Sequence, residues 1–249
     1  MLGGLNLIKD IKNYNFDKII IFNSSLRFNL IARLSRIPEV YQYPLFQKIK
    51  QHITDTPKKF LKRKFNLEVN EDPYIQIDKK LVTGAAKKFE IKKDQMNILL
   101  GVGGSGPTKR IPANTFLNVI EKMLKVKKCK FFLATGKDKD EQVILNELMQ
   151  SKFKDFCQPL DDFTIKETLP IIKCCDLSIC NDSSFSHLSS ALGIKTITLM
   201  ADTPLIYGNY SSKMFPIIPD DEETVSHNTL GKDKINPQKI FNKIIEITN

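Results

Sequence analysis

The feature that most constrains this chain is one unit between Cys175 and Met200. Leu177 and Ile179 belong to a short apolar strand that breaks at Asn181-Asp-Ser-Ser184. Residues 185–192 then read as a short helix, Gly193 supplies its C-terminal cap, and residues 194–200 form a second strand. Two strands joined through a helix run parallel, with a right-handed crossover. The unit also fixes where polar groups stand. Asp182, Ser183 and Ser184 fall at the C-terminal end of a strand and the start of a helix. Free backbone N–H groups and the helix dipole favour an anion there, and ligands of open α/β sheets bind in that crevice. The same side chains could instead cap the helix, a common use of Asp and Ser. The upstream sequence separates these readings.

The alternation extends through the second part of the chain. Residues 96–102 are a strand, 103–110 a glycine-rich loop and 112–125 a helix with Pro112 in its first turn. Phe116, Val119, Ile120 and Met123 recur at helical spacing and predict a core face. A strand at 129–135, a helix at 138–150, a helix at 165–174 capped by Thr164 and a final helix at 235–247 continue the pattern. The fold class is therefore α/β with parallel sheets. Earlier, residues 5–13 read as the end of a helix, 16–22 as a strand and 26–34 as a helix. Residues 48–65 are mostly helical, 72–78 loop and short strand, and 79–93 a helix with a charged connector.

Charge divides the chain at the same place as composition. Residues 1–93 hold 19 Lys and Arg against 9 Asp and Glu, whereas residues 94–249 hold 19 of each. The whole net charge of +10 thus sits in the first part, densest over residues 48–64 with Lys58, Lys59, Lys62, Arg63 and Lys64. We place the domain boundary there, giving 1–93 and 94–249. The basic stretch is either a solvated helix face or a contact for an anionic membrane surface. Aromatics interleave it only at Phe60 and Phe65, so no nucleic-acid role is expected. No apolar run approaches the ~20 residues that span a bilayer, and no signal peptide is evident. Five cysteines without ligand spacing predict buried free thiols, no metal site and a cytoplasmic protein.

The residues that separate the two readings of Asp182 lie in Leu99-Leu-Gly-Val-Gly-Gly-Ser-Gly-Pro-Thr-Lys-Arg-Ile-Pro112. This glycine-rich turn between strand and helix lets backbone approach a ligand closely, with Ser105 and Thr108 hydroxyls and the Lys109 cation beside it. Pro107-Thr108 separates Gly106 from Lys109, so it is not a Walker A loop. It also lacks the later acidic partner of a dinucleotide fingerprint. Lys109-Arg-Ile-Pro112 together with Asp182-Ser-Ser-Phe-Ser-His187-Leu-Ser-Ser-Ala191-Leu-Gly193 resembles the paired motifs of glycosyltransferase family 9, the ADP-heptose:lipopolysaccharide heptosyltransferases and their relatives. The strand and helix from Phe16 to Arg27 are similar to an element of that family's acceptor-side domain.

The resemblance implies a GT-B architecture, two Rossmann-like domains with parallel sheets, the C-terminal one holding a nucleotide-diphospho-sugar. It implies that Lys109 meets the donor phosphates with Ser105 near by, and that Ser183 and Ser184 offer backbone N–H groups to them. Asp182 would contact the sugar or orient the site, His187 would support the loop, and Phe163 would pack against the base. An ADP-sugar is the favoured donor, and an anionic lipid-linked glycan of lipopolysaccharide type the acceptor. The protein would then work at the inner face of the cytoplasmic membrane, without a cofactor. Three departures stand out. The family's Asp-Thr-Gly is here Asp182-Ser183-Ser184, and its Gly-Pro-Thr is Ala201-Asp202-Thr203. Nothing before Phe16 matches the first strand and Gly-Asp loop that carry the family's proposed general base. The amino-terminal domain is thus expected to be incomplete and no catalytic base is assigned. The alternative function is that of an inactive or truncated nucleotide-sugar-binding relative.

Overall fold

A computed structural model describes residues 2–45, 53–104 and 106–248. The chain forms two compact units, Met1–Glu71 and Asp72–Asn249. In the first, helix α1 (Leu2–Asn13) precedes strand β1 (Lys18–Ile21), helix α2 (Leu26–Leu34), strand β2 (Glu39–Gln42) and helix α3 (Asp55–Phe65). The two strands pair in parallel from Lys18 opposite Glu39 to Ile21 opposite Gln42. Ile21, Ala32 and Ile37 form a small core with Ile11, Ile19 and Val40 packed against it. A second apolar contact sets Phe60 of α3 edge-on to Phe22 and Tyr43. Strand β2 was not expected: its four residues carry two polar side chains and no run of β-formers. Of the basic stretch at 48–64, residues 48–52 lie outside the described residues, and the rest is α3 with its preceding turn.

The second unit contains α4 (Lys79–Lys88), β3 (Met96–Gly101), α5 (Ala113–Val126), β4 (Cys129–Ala134), α6 (Lys139–Met149), β5 (Cys157–Pro159), α7 (Ile165–Lys173), β6 (Leu177–Asn181), α8 (Ser184–Ala191), β7 (Lys195–Leu199), β8 (Met214–Ile217) and α9 (Pro237–Thr248). Its sheet has the order β5-β4-β3-β6-β7-β8 with every neighbouring pair parallel. Ile98 and Leu100 of β3 face one core with Phe116, Val119, Ile120 and Met123 of α5, all fully or almost fully buried. Leu99 faces the other core, with Phe132, Ile171 and Ile172. The expected face of α5 is therefore core. Pro112 stands at its N-cap, one position before the first turn.

Helix ends follow their sequence signals closely. Thr164 and Glu167 close a reciprocal capping box on α7, satisfying two N–H groups that have no partner within the helix. Gly193, just past α8, adopts φ +81°, a conformation that favours glycine. All helices of such a unit end near the N-terminal edge of the sheet, where their carbonyls carry partial negative charge. Lysines answer it: Lys173 Nζ donates to Leu192 O at 2.6 Å and Lys195 Nζ donates to Ile247 O.

One expectation is corrected. Residues 72–78 form no strand; Ile75 N–H donates one bond to Ala191 O at 2.7 Å, and Pro73 removes another donor. The breaks in composition and in packing also differ in place. Residues 72–93 share the basic surplus of the first part, yet Asp72 accepts from Ser211 Oγ at 2.8 Å and α4 packs on α7. Strands β5 and β8 were missed because each contains a proline, Pro159 or Pro216. Proline removes a ladder donor, which an edge strand tolerates, and both strands lie at edges.

Candidate functional site

The order of the sheet fixes one crevice. From β3 the chain moves outward through β4 and β5, then returns to the other side of β3 with β6. The loops leaving β3 and β6 therefore diverge at their C-terminal ends, the topological switch point where open α/β sheets bind ligands. The glycine-rich turn after Gly101 and the polar loop after Asn181 are those two loops. Asn181 holds them together: its Nδ2 donates to Val102 O at 2.8 Å and Gly103 O at 3.2 Å.

A cleft of about 660 Å³ opens there. Gly103, Gly104 and Arg110 line it from the glycine-rich side, and Ser183 and Ser184 from the start of α8. Thr135 and Gly136 follow β4, and Phe163 stands beside the cap of α7. The hydroxyls of Thr135 and Ser183 are buried without a hydrogen-bond partner among the described residues. Ser183 has extended backbone (φ −148°, ψ 173°) and its side chain makes no capping bond. Capping thus does not account for Asp182 and Ser183.

Asp182 is engaged elsewhere. Its Oδ2 accepts from Lys109 Nζ at 2.7 Å, joining the two motifs across the switch point. The pair is unequally buried, with side-chain exposure of 25% for Lys109 and 6% for Asp182. Neither lines the 660 Å³ cleft itself; they stand at its side through their chain neighbours Arg110 and Ser183. His187 Nδ1 lies 2.7 Å from Tyr210 Oη, and the two rings stack with centroids 5.6 Å apart. Burial lowers the His187 pKa and Lys109 adds to that, while the Asp182 charge opposes both. Phe163 meets Phe89 edge-on at 5.4 Å, with Lys88 Nζ 4.8 Å from its centroid. Ser105 lies outside the described residues.

Five other residues shape the site. Glu141 Oε1 accepts the Gly104 N–H at 2.6 Å and sits so near two glycines that a Cβ at Gly136 or Gly103 would strike its carboxylate. Arg110 Nε donates to Gly104 O at 2.9 Å, and its NH1 pairs with Asp140 at 3.0 Å. Asp202, which departs from the family pattern, accepts the Leu230 N–H at 2.9 Å and a bond from the Thr108 hydroxyl. Burial would raise its pKa, but these donors and the His227 charge together hold it below the usual value. Tyr210 and Asn181 complete the set. Asn181, Asp202 and Arg110 stand within or beside the quoted motifs. Glu141 and Tyr210 meet the site through contacts distant in sequence, with no local pattern to mark them. Among the described residues, no three His, Cys, Asp or Glu side chains cluster as metal ligands.

The family model for glycosyltransferase family 9 (heptosyltransferase) matches residues 5–244. The chain belongs to this family. A curated relative, lipopolysaccharide heptosyltransferase 1 of Campylobacter coli, is 27% identical over 173 residues, 67% of this chain and 49% of the relative. The chain thus spans about half the length of that relative. Among solved structures, the family 9 glycosyltransferase of Veillonella parvula aligns with a TM-score of 0.81 at 15% identity, covering 99% of this chain and 79% of that one. The E. coli ADP-heptose lps heptosyltransferase II aligns with a TM-score of 0.76 at 14% identity, covering 98% and 80%. At such identities the likeness speaks for the fold, and the fold is that of GT-B glycosyltransferases with parallel sheets, as expected.

Proposed function

We propose that this chain binds a nucleotide-diphospho-sugar at the switch-point cleft and transfers a heptose-like sugar to a lipopolysaccharide-type acceptor. The observation that carries the reading is the Lys109–Asp182 pair, which joins both family motifs beside the N-terminus of α8. In the bound state Lys109 turns from Asp182 to the diphosphate, and the first N–H groups of α8, at Ser183 and Ser184, meet phosphate oxygens. Asp182, released, accepts hydroxyls of the sugar. Phe163 flanks the base, Ser105 bonds near the phosphates and His187 steadies the loop. As the acceptor hydroxyl oxygen bonds to the anomeric carbon and gives up its proton to a base or to water, the bond from that carbon to the diphosphate breaks; the leaving diphosphate takes the electron pair, and the Lys109 charge and α8 amides stabilise it. The E. coli neighbour is named for ADP-heptose, which supports an ADP-sugar over other donors.

The acceptor is read as an anionic, lipid-linked glycan met at the inner face of the cytoplasmic membrane. No helix among the described residues is long and apolar enough to cross a membrane. The basic residues of α3, Lys58 and Lys59 with Lys62 beside its partner Glu68, support peripheral contact, each unpaired charge adding ~1 kcal/mol near an anionic surface. Neutralising the three is expected to weaken binding to anionic vesicles; unchanged binding at low salt refutes the contact. The donor reading is tested by calorimetric titration with ADP, ADP-sugars and UDP-sugars. Saturable binding that prefers ADP-sugars, weakened in Lys109→Ala, is expected. A folded chain that binds none of them overturns it.

A further inference from the structure

On the lateral face of the second unit, α4 lies along α7 and leaves a groove of about 670 Å³. This is as roomy as the donor cleft and within the ~300–1,000 Å³ of small-molecule sites. Its floor is apolar, built from Leu81, Ala85, Phe89, Phe163, Pro170 and Ile171. Leu81 is 56% exposed, although it belongs to this apolar lining. Gly84 lies inside α4 where a Cβ would meet nothing within 4 Å. Glycine weakens a helix interior relative to alanine, and no neighbour requires it here. Gly84 lines the groove and adds no side chain to it.

Its polar lining has one dominant sign. Lys80, Lys88 and Lys166 line the groove and enter no ion pair among the described residues. Lys88 Nζ rests over the rings of Phe163 and Phe89, at 4.8 and 5.4 Å from their centroids. The carboxylate of Glu167, the acid of the lining, is held by the N–H and hydroxyl of Thr164 at 2.8 and 2.6 Å. The walls are mainly helices whose backbone groups bond internally, so an extended peptide would find few partners for its amides. An acyl chain has no such groups to satisfy.

We propose that this groove binds a single-chain amphiphile with a carboxylate head, taken up as a soluble monomer. The chain lies on Leu81, Ala85 and Ile171, and the lysines of the lining, with Lys80 and Lys88 about 12 Å apart along α4, supply the cation that the head meets. The groove shares Phe163 and Thr164 with the donor cleft but lies on the α4 side of them, and its occupancy needs no nucleotide. The test is calorimetric titration of the full chain with sodium dodecanoate below its micelle concentration, without nucleotide. One-site saturation is expected, at least tenfold weaker in Gly84→Trp, whose indole fills the groove. The triple variant Lys80→Gln, Lys88→Gln, Lys166→Gln should lose as much, and dodecyltrimethylammonium should not bind. Thermal melting by circular dichroism checks that both variants fold. Absence of saturation by the wild type, undiminished binding in Gly84→Trp, or equal binding of the cationic detergent overturns the proposal. Binding confined to phosphatidylglycerol vesicles, with none of the monomer, overturns it equally.

Discussion

Unequal burial of the Lys109–Asp182 pair makes its two halves unequal in consequence. Lys109→Ala leaves a carboxylate of 6% exposure with no other hydrogen-bonded side chain among the described residues. Removing one partner of a buried pair costs about 3–5 kcal/mol, and partial access of water here places the loss at the lower end, ~3 kcal/mol. Asp182→Ala leaves the lysine instead, which is 25% exposed and long enough to turn its ammonium to water. Its loss should be nearer ~1 kcal/mol, the net worth of an ordinary hydrogen bond. At roughly 2–4 °C per kcal/mol for a domain of this size, the melting points should fall by ~6–12 °C and ~2–4 °C. The double variant, with no charge left unpaired, should melt above Lys109→Ala. Binding should separate the pair in the opposite sense. Lys109→Ala should weaken ADP by about ten- to a hundredfold, the worth of a charge-assisted bond of ~1.5–3 kcal/mol. Asp182→Ala frees the lysine, so ADP affinity should hold or rise while the increment added by the sugar disappears. Melting followed by circular dichroism, and titration with ADP and an ADP-sugar, read both effects. A Lys109→Ala variant no less stable than Asp182→Ala, or ADP affinity falling equally in both, refutes the argument.

Thr164→Ala removes the reciprocal cap of α7 and should cost ~0.5–2 kcal/mol in urea denaturation, with Thr164→Ser recovering most of it. Folding lowers the His187 pKa from 6.5, so the unfolded chain binds the proton more readily. Stability should therefore be full above about pH 6.5 and fall as pH drops through 6.5 toward the folded value; His187→Asn should flatten that limb in pH-dependent melting. All five cysteines are free, and burial pushes Cys180 to about 12 and Cys129 and Cys157 to about 11. Iodoacetamide at pH 8 should modify these three far more slowly in the native chain than in urea, as mass spectrometry would show.

What could be read from the sequence was local. The alternation of apolar strands with amphipathic helices placed β3, α5, β4, α6, β6, α8 and β7, because each carries its own period and its own caps. Thr164 with Glu167, and Gly193 after α8, announce helix ends within four residues of the groups they satisfy. The strands that escaped carry proline or few residues, and their membership in a sheet depends on the neighbour they join. The site divides along the same line. Lys109 and Asp182 were legible because each stands in a loop that must leave a strand at the switch point, yet their bond, 73 residues long in sequence, was not. Asp182 reads from sequence as a cap or a ligand contact; the fold gives it a lysine, and that lysine is what a diphosphate would have to take from it. Glu141 shows the same limit more sharply. It lies in the first turn of α6, where an acid suits the helix dipole, and no local pattern distinguishes that use from its bond to Gly104. Gly103 and Gly136 supplied the missing half of that signal, since both lack a Cβ where the carboxylate of Glu141 stands. A glycine permits a close approach, but only the folded chain says which group approaches.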